Sequence, residues 1–331
     1  MAAATARSVE GKAASARTLL LRSALVGLGA SLTLRFLGEP FDEPVPRLLA
    51  LCVLTVVPLS VAAAPPAGGH ALTLLRLIAP LQPLVAVLTV GAFLRPEGYG
   101  TPWIAPAMGL GLLAAAYGAF RFFEGAGSHR VEAVTAAAAL AFLPVGAVWL
   151  IAERADYPLL GFDRAGVEVH AVHVHVAAVA VPLLAVRAAR ALPAASWPRR
   201  VAAGAGLTLV VTPVVLALGQ VTTPLLTLIA TVASTGALLL LAVVELRWVT
   251  PRLSTRAGRA LLVLSALSSV VAMPLAVLWV VGAVRLTLPF DPAWMLRVHG
   301  FANAHGVAVA GLVAWALEDR QATRGPATAR T

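Results

Sequence analysis

Ten blocks of about twenty predominantly apolar residues run along the chain, at 18–37, 46–64, 72–94, 102–122, 132–152, 167–190, 201–220, 223–246, 258–284 and 294–317. Each is long enough to cross a hydrocarbon core of roughly 30 Å as a helix. The breaks between them collect Pro, Gly and charge, as in Gly38-Glu39-Pro40-Phe41-Asp42-Glu43-Pro44 and Ser196-Trp197-Pro198-Arg199-Arg200. The pattern predicts an all-α polytopic membrane helix bundle of about ten transmembrane helices. Residues 17–318 form one transmembrane domain, and 1–16 and 319–331 are mobile polar tails. The first block does not read as a cleavable signal: an acidic segment without an Ala-x-Ala site follows it, and Arg22 and Arg35 bracket it as anchors.

Composition agrees. The 331 residues are 60% hydrophobic and only 12% charged, about half the usual charged share. That excludes a soluble globular enzyme, a disordered chain and a nucleic-acid module. The net charge of +10 does not change this, because the cations lie between apolar blocks rather than in one patch. Only Lys12 is lysine, an arginine bias that reads as codon usage and not as phosphate recognition. The single cysteine, Cys52, excludes an intramolecular disulfide and a cysteine metal cluster; it reads as packing in the second span.

Arginine placement sets the orientation. With a cytoplasmic N-terminus, Arg17, Arg121, Arg187, Arg190, Arg199, Arg200, Arg256 and Arg320 all fall inside. Asp42, Glu43, Asp156, Asp163 and Asp291 fall outside. Ten spans then place both termini in the cytoplasm and the protein in the cell membrane. Trp103, Trp149, Trp279 and Trp294 lie near outer ends, as an aromatic belt.

Pro58, Pro83, Pro106, Pro144, Pro182, Pro213 and Pro274 fall inside spans. Broken helices lining a cavity would use them, but membrane helices also tolerate proline when neighbours satisfy the freed carbonyls. Two helix pairs resemble each other. Pro144 to Trp149 leads to Gly161-Phe162-Asp163 and His170, and Pro274 to Trp279 leads to Pro289-Phe290-Asp291 and His299. Pro40-Phe41-Asp42 is a candidate third copy. Such a repeat would be parallel, about an axis along the membrane normal.

Ionisable groups inside spans mark candidate sites. Five of the 7 histidines lie in two helices: His170, His173 and His175 with Glu168 in the sixth, and His299 and His305 with Gly300, Asn303 and Gly306 in the tenth. At 1.5 Å per residue, the sixth-span cluster lies roughly 5–12 Å deep and the tenth-span cluster roughly 8–17 Å deep, both in the outer half. His299, Asn303 and Gly306 share one helix face. His170 and His173 share another, whereas His175 points almost opposite, beside Glu168. A regular helix therefore cannot aim His173 and His175 at one centre, unless it unwinds near Pro182.

Four uses compete for these groups: interhelical hydrogen bonding, a substrate or proton pathway, a haem or transition-metal site built from His173, His175 and His299, and catalysis. No H-E-x-x-H, G-x-S-x-G or paired catalytic carboxylates occur in any span, so enzymatic chemistry is not expected. Arg121 and Glu124 read as an i, i+3 interfacial pair. Thr212, Gln220, Thr222, Thr223, Thr227 and Thr231 read as back-bonded residues or as a permeation lining.

At the histidines the chain resembles the YndJ-like family of bacterial multi-pass membrane proteins. The resemblance rests on Val169-His170-Ala171-Val172-His173-Val174-His175-Val176-Ala177-Ala178-Val179 and, more specifically, on His299-Gly300-Phe301-Ala302-Asn303-Ala304-His305-Gly306. It implies that His173, His175, His299, Asn303, Gly300 and Gly306 belong to the shared pattern, and that His170 and His305 are secondary. Valines replace both aromatics around the family's His-x-His, and Ala178 replaces its glycine.

The expected function is transporter-like. His173 and His175 would titrate or bind substrate, His299 and Asn303 would face them, and Gly300 and Gly306 would set helix packing. The expected partners are the lipid bilayer and a small-molecule or ion substrate, with no nucleic acid and no cofactor. A haem- or metal-binding redox protein and a purely structural bundle are the alternatives.

Overall fold

The computed structural model describes residues 2–65, 68–96, 98–125, 129–287 and 290–324. Among these residues, ten helices are long and apolar enough to cross a membrane: span 1 (Gly11–Leu37), span 2 (Pro44–Ala63), span 3 (Gly69–Phe93), span 4 (Thr101–Gly125), span 5 (Arg130–Arg154), span 6 (Arg164–Arg190), span 7 (Trp197–Thr222), span 8 (Pro224–Arg252), span 9 (Arg256–Val284) and span 10 (Leu296–Ala322). These match the ten hydropathy blocks. The helix of span 1 begins at Ala2, so the segment expected as a mobile tail continues it. Its alanines are strong helix formers, and Ala13 and Ala16 are buried. The last helix likewise continues to Arg324; residues 325–331 of the expected C-terminal tail lie outside the described residues.

Span 2 is 89% buried and span 6 is 83% buried, against 33–56% for the others. A helix that is apolar all round must be buried or face lipid. Spans 2, 6 and 10 therefore form the centre, and the rest surround them with lipid-facing Leu, Val and Phe such as Val26, Phe123, Leu225 and Val271. Spans 3, 4 and 5, and spans 7, 8 and 9, pack as successive antiparallel neighbours.

The three central helices touch where each widens into a π-helix, at Cys52–Val56, Val174–Ala180 and Ala302–Val309. Two of these wide turns, and a third at Glu245–Val249, end two residues before a proline: Pro58, Pro182 and Pro251. A proline ring displaces the carbonyl four residues back, and a wider turn absorbs that displacement without unwinding the helix. Pro83, Pro106, Pro144, Pro213 and Pro274 lie within continuous α-helices. Among the described residues, proline breaks none of the ten spans.

The end carrying the chain termini is stitched by glutamates. Glu124 accepts from the backbone N–H of His70 at 2.8 Å, so it caps span 3. Arg121 donates to the carbonyl of Pro65. The two residues expected to pair thus both fasten the turn between spans 2 and 3. Glu318 accepts from the N–H groups of Ser254 (2.7 Å) and Thr255 (2.8 Å) at the start of span 9. Glu318→Ala is expected to cost about 1–2 kcal/mol, the usual worth of a cap with charge-assisted bonds. A lowered unfolding midpoint in detergent checks it.

Candidate functional site

A cavity of about 300 Å³ opens between spans 6, 7, 8, 9 and 10. It reaches from the end opposite the termini, at Val169, Gln220 and Val280, to mid-bundle at Val181, Leu238 and Asn303. His173 enters from span 6, and His299 with Asn303 from span 10. Thr212 and Gln220 of span 7 and Thr231 and Ser234 of span 8 supply the remaining polar wall. The described lining contains no Asp, Glu, Lys or Arg.

His299 and Asn303 act as a unit. Nδ1 of His299 lies 2.9 Å from the carbonyl of Ala272 on span 9. A carbonyl can only accept, so Nδ1 carries the proton and Nε2 becomes an acceptor. The Asn303 amide donates to that Nε2 at 3.1 Å and to the His299 carbonyl at 3.0 Å. Both amide hydrogens are then committed, and the Asn303 Oδ1 remains an acceptor. The i, i+4 spacing seen in the sequence makes this possible.

His175 lies on the other side of span 6. Two residues are roughly half a turn in either an α- or a π-helix, so the widened turn does not bring it round to His173. Its Nδ1 bonds the Ala171 carbonyl at 2.7 Å. Its ring lies against Gly146 of span 5, where a Cβ would come within 2.6 Å. It borders a separate space of about 30 Å³ shared with Gln82 and Thr89, roomy enough for roughly one or two waters. The donor set His173, His175 and His299 is therefore not brought together. No group of three His, Cys, Asp or Glu side chains placed to hold a metal occurs among the described residues.

The remaining sequence candidates have structural partners. His170 stacks on Trp149 at 4.8 Å and packs tilted against Phe162 at 4.3 Å, with Nδ1 2.7 Å from the Gly166 carbonyl. His305 lies parallel to Phe301 at 5.1 Å, and Arg47 covers that ring's other neighbourhood at 5.7 Å. Glu168 pairs with Arg164 at 3.1 Å. Gly300 lines the cavity, and a Cβ there would meet Leu296 at 3.1 Å and Leu48 at 3.5 Å. Gly306 packs on Ser268 of span 9. Cys52 is buried and free, as expected of a packing residue.

Threonines of the seventh and eighth spans follow both expectations at once. Thr231 donates to the Thr227 carbonyl at 2.8 Å and also lines the cavity. Thr222 only back-bonds, to Leu218 at 2.6 Å. Two of the four belt tryptophans differ from expectation: Trp149 is buried and Trp279 lines the cavity, because each has a phenylalanine of the following loop to pack on. Ser234, which lines the cavity, was not legible as a site residue, and the burial of Glu245 was not foreseen either. Glu245 is buried on span 8, seven residues beyond Leu238 of the cavity wall and so on the same face. Its signal in the sequence is a lone acid closing an apolar run.

The two similar helix pairs turn similar corners. Phe162 packs on Trp149 at 5.7 Å and Asp163 accepts from the N–H of Gly166 at 2.9 Å. Phe290 packs near Trp279 at 5.6 Å and Asp291 accepts from the N–H of Trp294 at 2.9 Å. Pro289 of the second corner lies outside the described residues. In the third candidate Phe41 is buried, 6.4 Å from Phe93, but the helix after it starts at Pro44, and Glu43 before it makes no side-chain cap. Each corner launches one of the three central spans.

Comparison with known proteins places the chain. The family model described as YndJ-like protein matches residues 47–307. A curated relative, the "Uncharacterized membrane protein YndJ" of Bacillus subtilis (strain 168), is 26% identical over 197 residues, covering 58% of this chain and 34% of the relative. The chain thus spans about a third of the length of that relative. No solved structure matches. The matched region contains spans 3 to 9, most of span 2 and the His299-to-Gly306 segment, and this multi-pass membrane protein belongs to the YndJ-like family.

Proposed function

We propose that the protein has a transporter-like role and binds a small uncharged molecule with hydrogen-bonding groups in the cavity between spans 6 and 10. The observation that carries this reading is the lining. His173, His299, Asn303, Gln220, Thr212 and Ser234 converge from four helices on one cavity whose described wall bears no charged side chain. Pockets of this size, mainly apolar with a few placed polar groups, are the usual form of a small-molecule site. A charged ligand would find no counter-charge there and would lose its hydration without repayment.

Each polar group has a role in this reading. Asn303 Oδ1 accepts from the ligand, and His173 supplies the facing donor or acceptor. His299 holds Asn303 through its fixed tautomer. Both termini are cytoplasmic, as the arginine placement supports, so the cavity lies in the outer half of the bilayer.

A thermal-shift screen of small uncharged alcohols, amides and sugars against the detergent-purified protein tests the reading. A stabilising ligand is expected whose effect disappears in both His173→Ala and Asn303→Ala, while each variant alone melts within about 1 kcal/mol of the parent, as cavity-facing polar groups should. Binding that survives both substitutions would refute the site.

A further inference from the structure

Among the described residues, the end of the bundle carrying the termini gathers arginines from several spans around one turn. Arg17 of span 1 donates to the carbonyl of Ala64 and Arg121 of span 4 to that of Pro65, so consecutive carbonyls of one turn draw both guanidinium groups together. Tyr117, fully buried, donates to the same Pro65 carbonyl at 3.4 Å. Arg187 and Arg190 close the group from span 6: Arg17 lies within electrostatic reach of Arg121, Arg187 and Arg190, and Arg190 within reach of Arg199.

Three carboxylates within reach of this group are Asp319, Glu124 and Glu132, and each has a fixed task. Asp319 pairs with Arg187, Glu132 pairs with Arg199 at 2.7 Å, and Glu124 caps span 3. Among the described residues, five arginines thus face three acids. The Nε of Arg17 is buried with no hydrogen-bond partner. A guanidinium N–H held away from water without an acceptor, beside other cations, is costly unless an anion answers it.

We infer that Arg17, Arg121 and Arg190 form a binding site for a phosphate group at the membrane surface. The planar guanidinium fork matches phosphate oxygens in geometry as well as charge. Basic pockets between membrane helices at this depth hold anionic headgroups. The arginine-rich composition is silent on this; the convergence of Arg17 and Arg121 on one turn, with Arg190 of span 6 within electrostatic reach of both, is what carries it. The site is separate from the cavity and stands whether or not the cavity binds a ligand.

The test uses the whole 331-residue chain, delipidated, in detergent at matched ionic strength. Dioleoylphosphatidylglycerol, dioleoylphosphatidylcholine and inorganic phosphate are added separately, with bound lipid read by native mass spectrometry and stability by thermal melting. Retention and stabilisation by phosphatidylglycerol over phosphatidylcholine are expected. Affinity should fall about fivefold for each arginine removed in Arg17→Gln and Arg190→Gln, and remain unchanged in Arg256→Gln. Arg190 is exposed, so its variant reports on binding even where Arg17→Gln folds poorly. Displacement of the lipid by millimolar inorganic phosphate would identify free phosphate as the occupant, and no displacement would identify the lipid; either supports the site. Equal binding of both lipids, or binding unaltered in Arg190→Gln, would overturn it.

Discussion

A Gly306→Leu variant is expected to lose about 3 kcal/mol or more of stability, the upper range for overpacking a close contact. A Cβ at Gly306 would collide with the Ser268 hydroxyl and come within 2.5 Å of its Cβ. The neighbouring hydrogen bond from Ser265 to the Val307 carbonyl, at 2.9 Å, holds spans 9 and 10 at this spacing, so neither helix yields easily. Small residues that let membrane helices approach are the main source of such specificity, since lipid gives apolar side chains no reason to leave it. Gly306→Ala with Ser268→Gly should recover much of the loss suffered by Gly306→Ala alone, because the two substitutions share one contact. Equal melting of Gly306→Leu and the parent would show that the spans do not pack as described.

The second large effect separates two histidines that the sequence places two residues apart. His175→Ala is expected to destabilise the protein by about 2–4 kcal/mol, the range for emptying a well-packed buried site, and to leave ligand binding intact. His173→Ala should do the reverse. The reason is placement: His175 is 3% exposed, bonded to its own helix and pressed on Gly146, whereas His173 faces the open cavity. Parallel measurement of unfolding midpoint and ligand-induced shift in both variants checks the split. Two variants with the same profile would contradict it.

The fold was nearly all legible because hydropathy periodicity and length decide helix spanning. Every block predicted from the sequence corresponds to a described helix. What escaped was local. The helix start at Ala2 was hidden by polar residues among the alanines, since polarity suggests a tail while propensity favours helix. The packing of Trp149 inside the bundle escaped because a belt position and a buried corner give the same residue at the same depth. The site was legible in part. Helical phase separated His173 from His175 and grouped His299 with Asn303, because a fixed angle per residue needs no tertiary information. Thr212, Gln220 and Thr231 were candidates for a lining, but phase cannot say which helices are neighbours, so their sharing of one wall with His173 and Asn303, and the part of Ser234, appeared only in three dimensions. The convergence of Arg17 and Arg121 on carbonyls 64 and 65 was hidden for the same reason: a positive-inside count weighs arginines without locating them.

His173 and Asn303 face one cavity while His175 lies outside it, and thiol reactivity distinguishes the two placements. The only natural cysteine, Cys52, is buried, so the unmodified chain serves as its own unreactive background. His173→Cys, His175→Cys and Asn303→Cys are each treated with a small neutral thiol reagent, with labelling followed by intact mass. Labelling of His173→Cys and Asn303→Cys, slowed by a cavity ligand and absent in His175→Cys, is the predicted result. An unreactive Asn303→Cys beside a reactive His175→Cys would show that the cavity is lined by the other face of span 6.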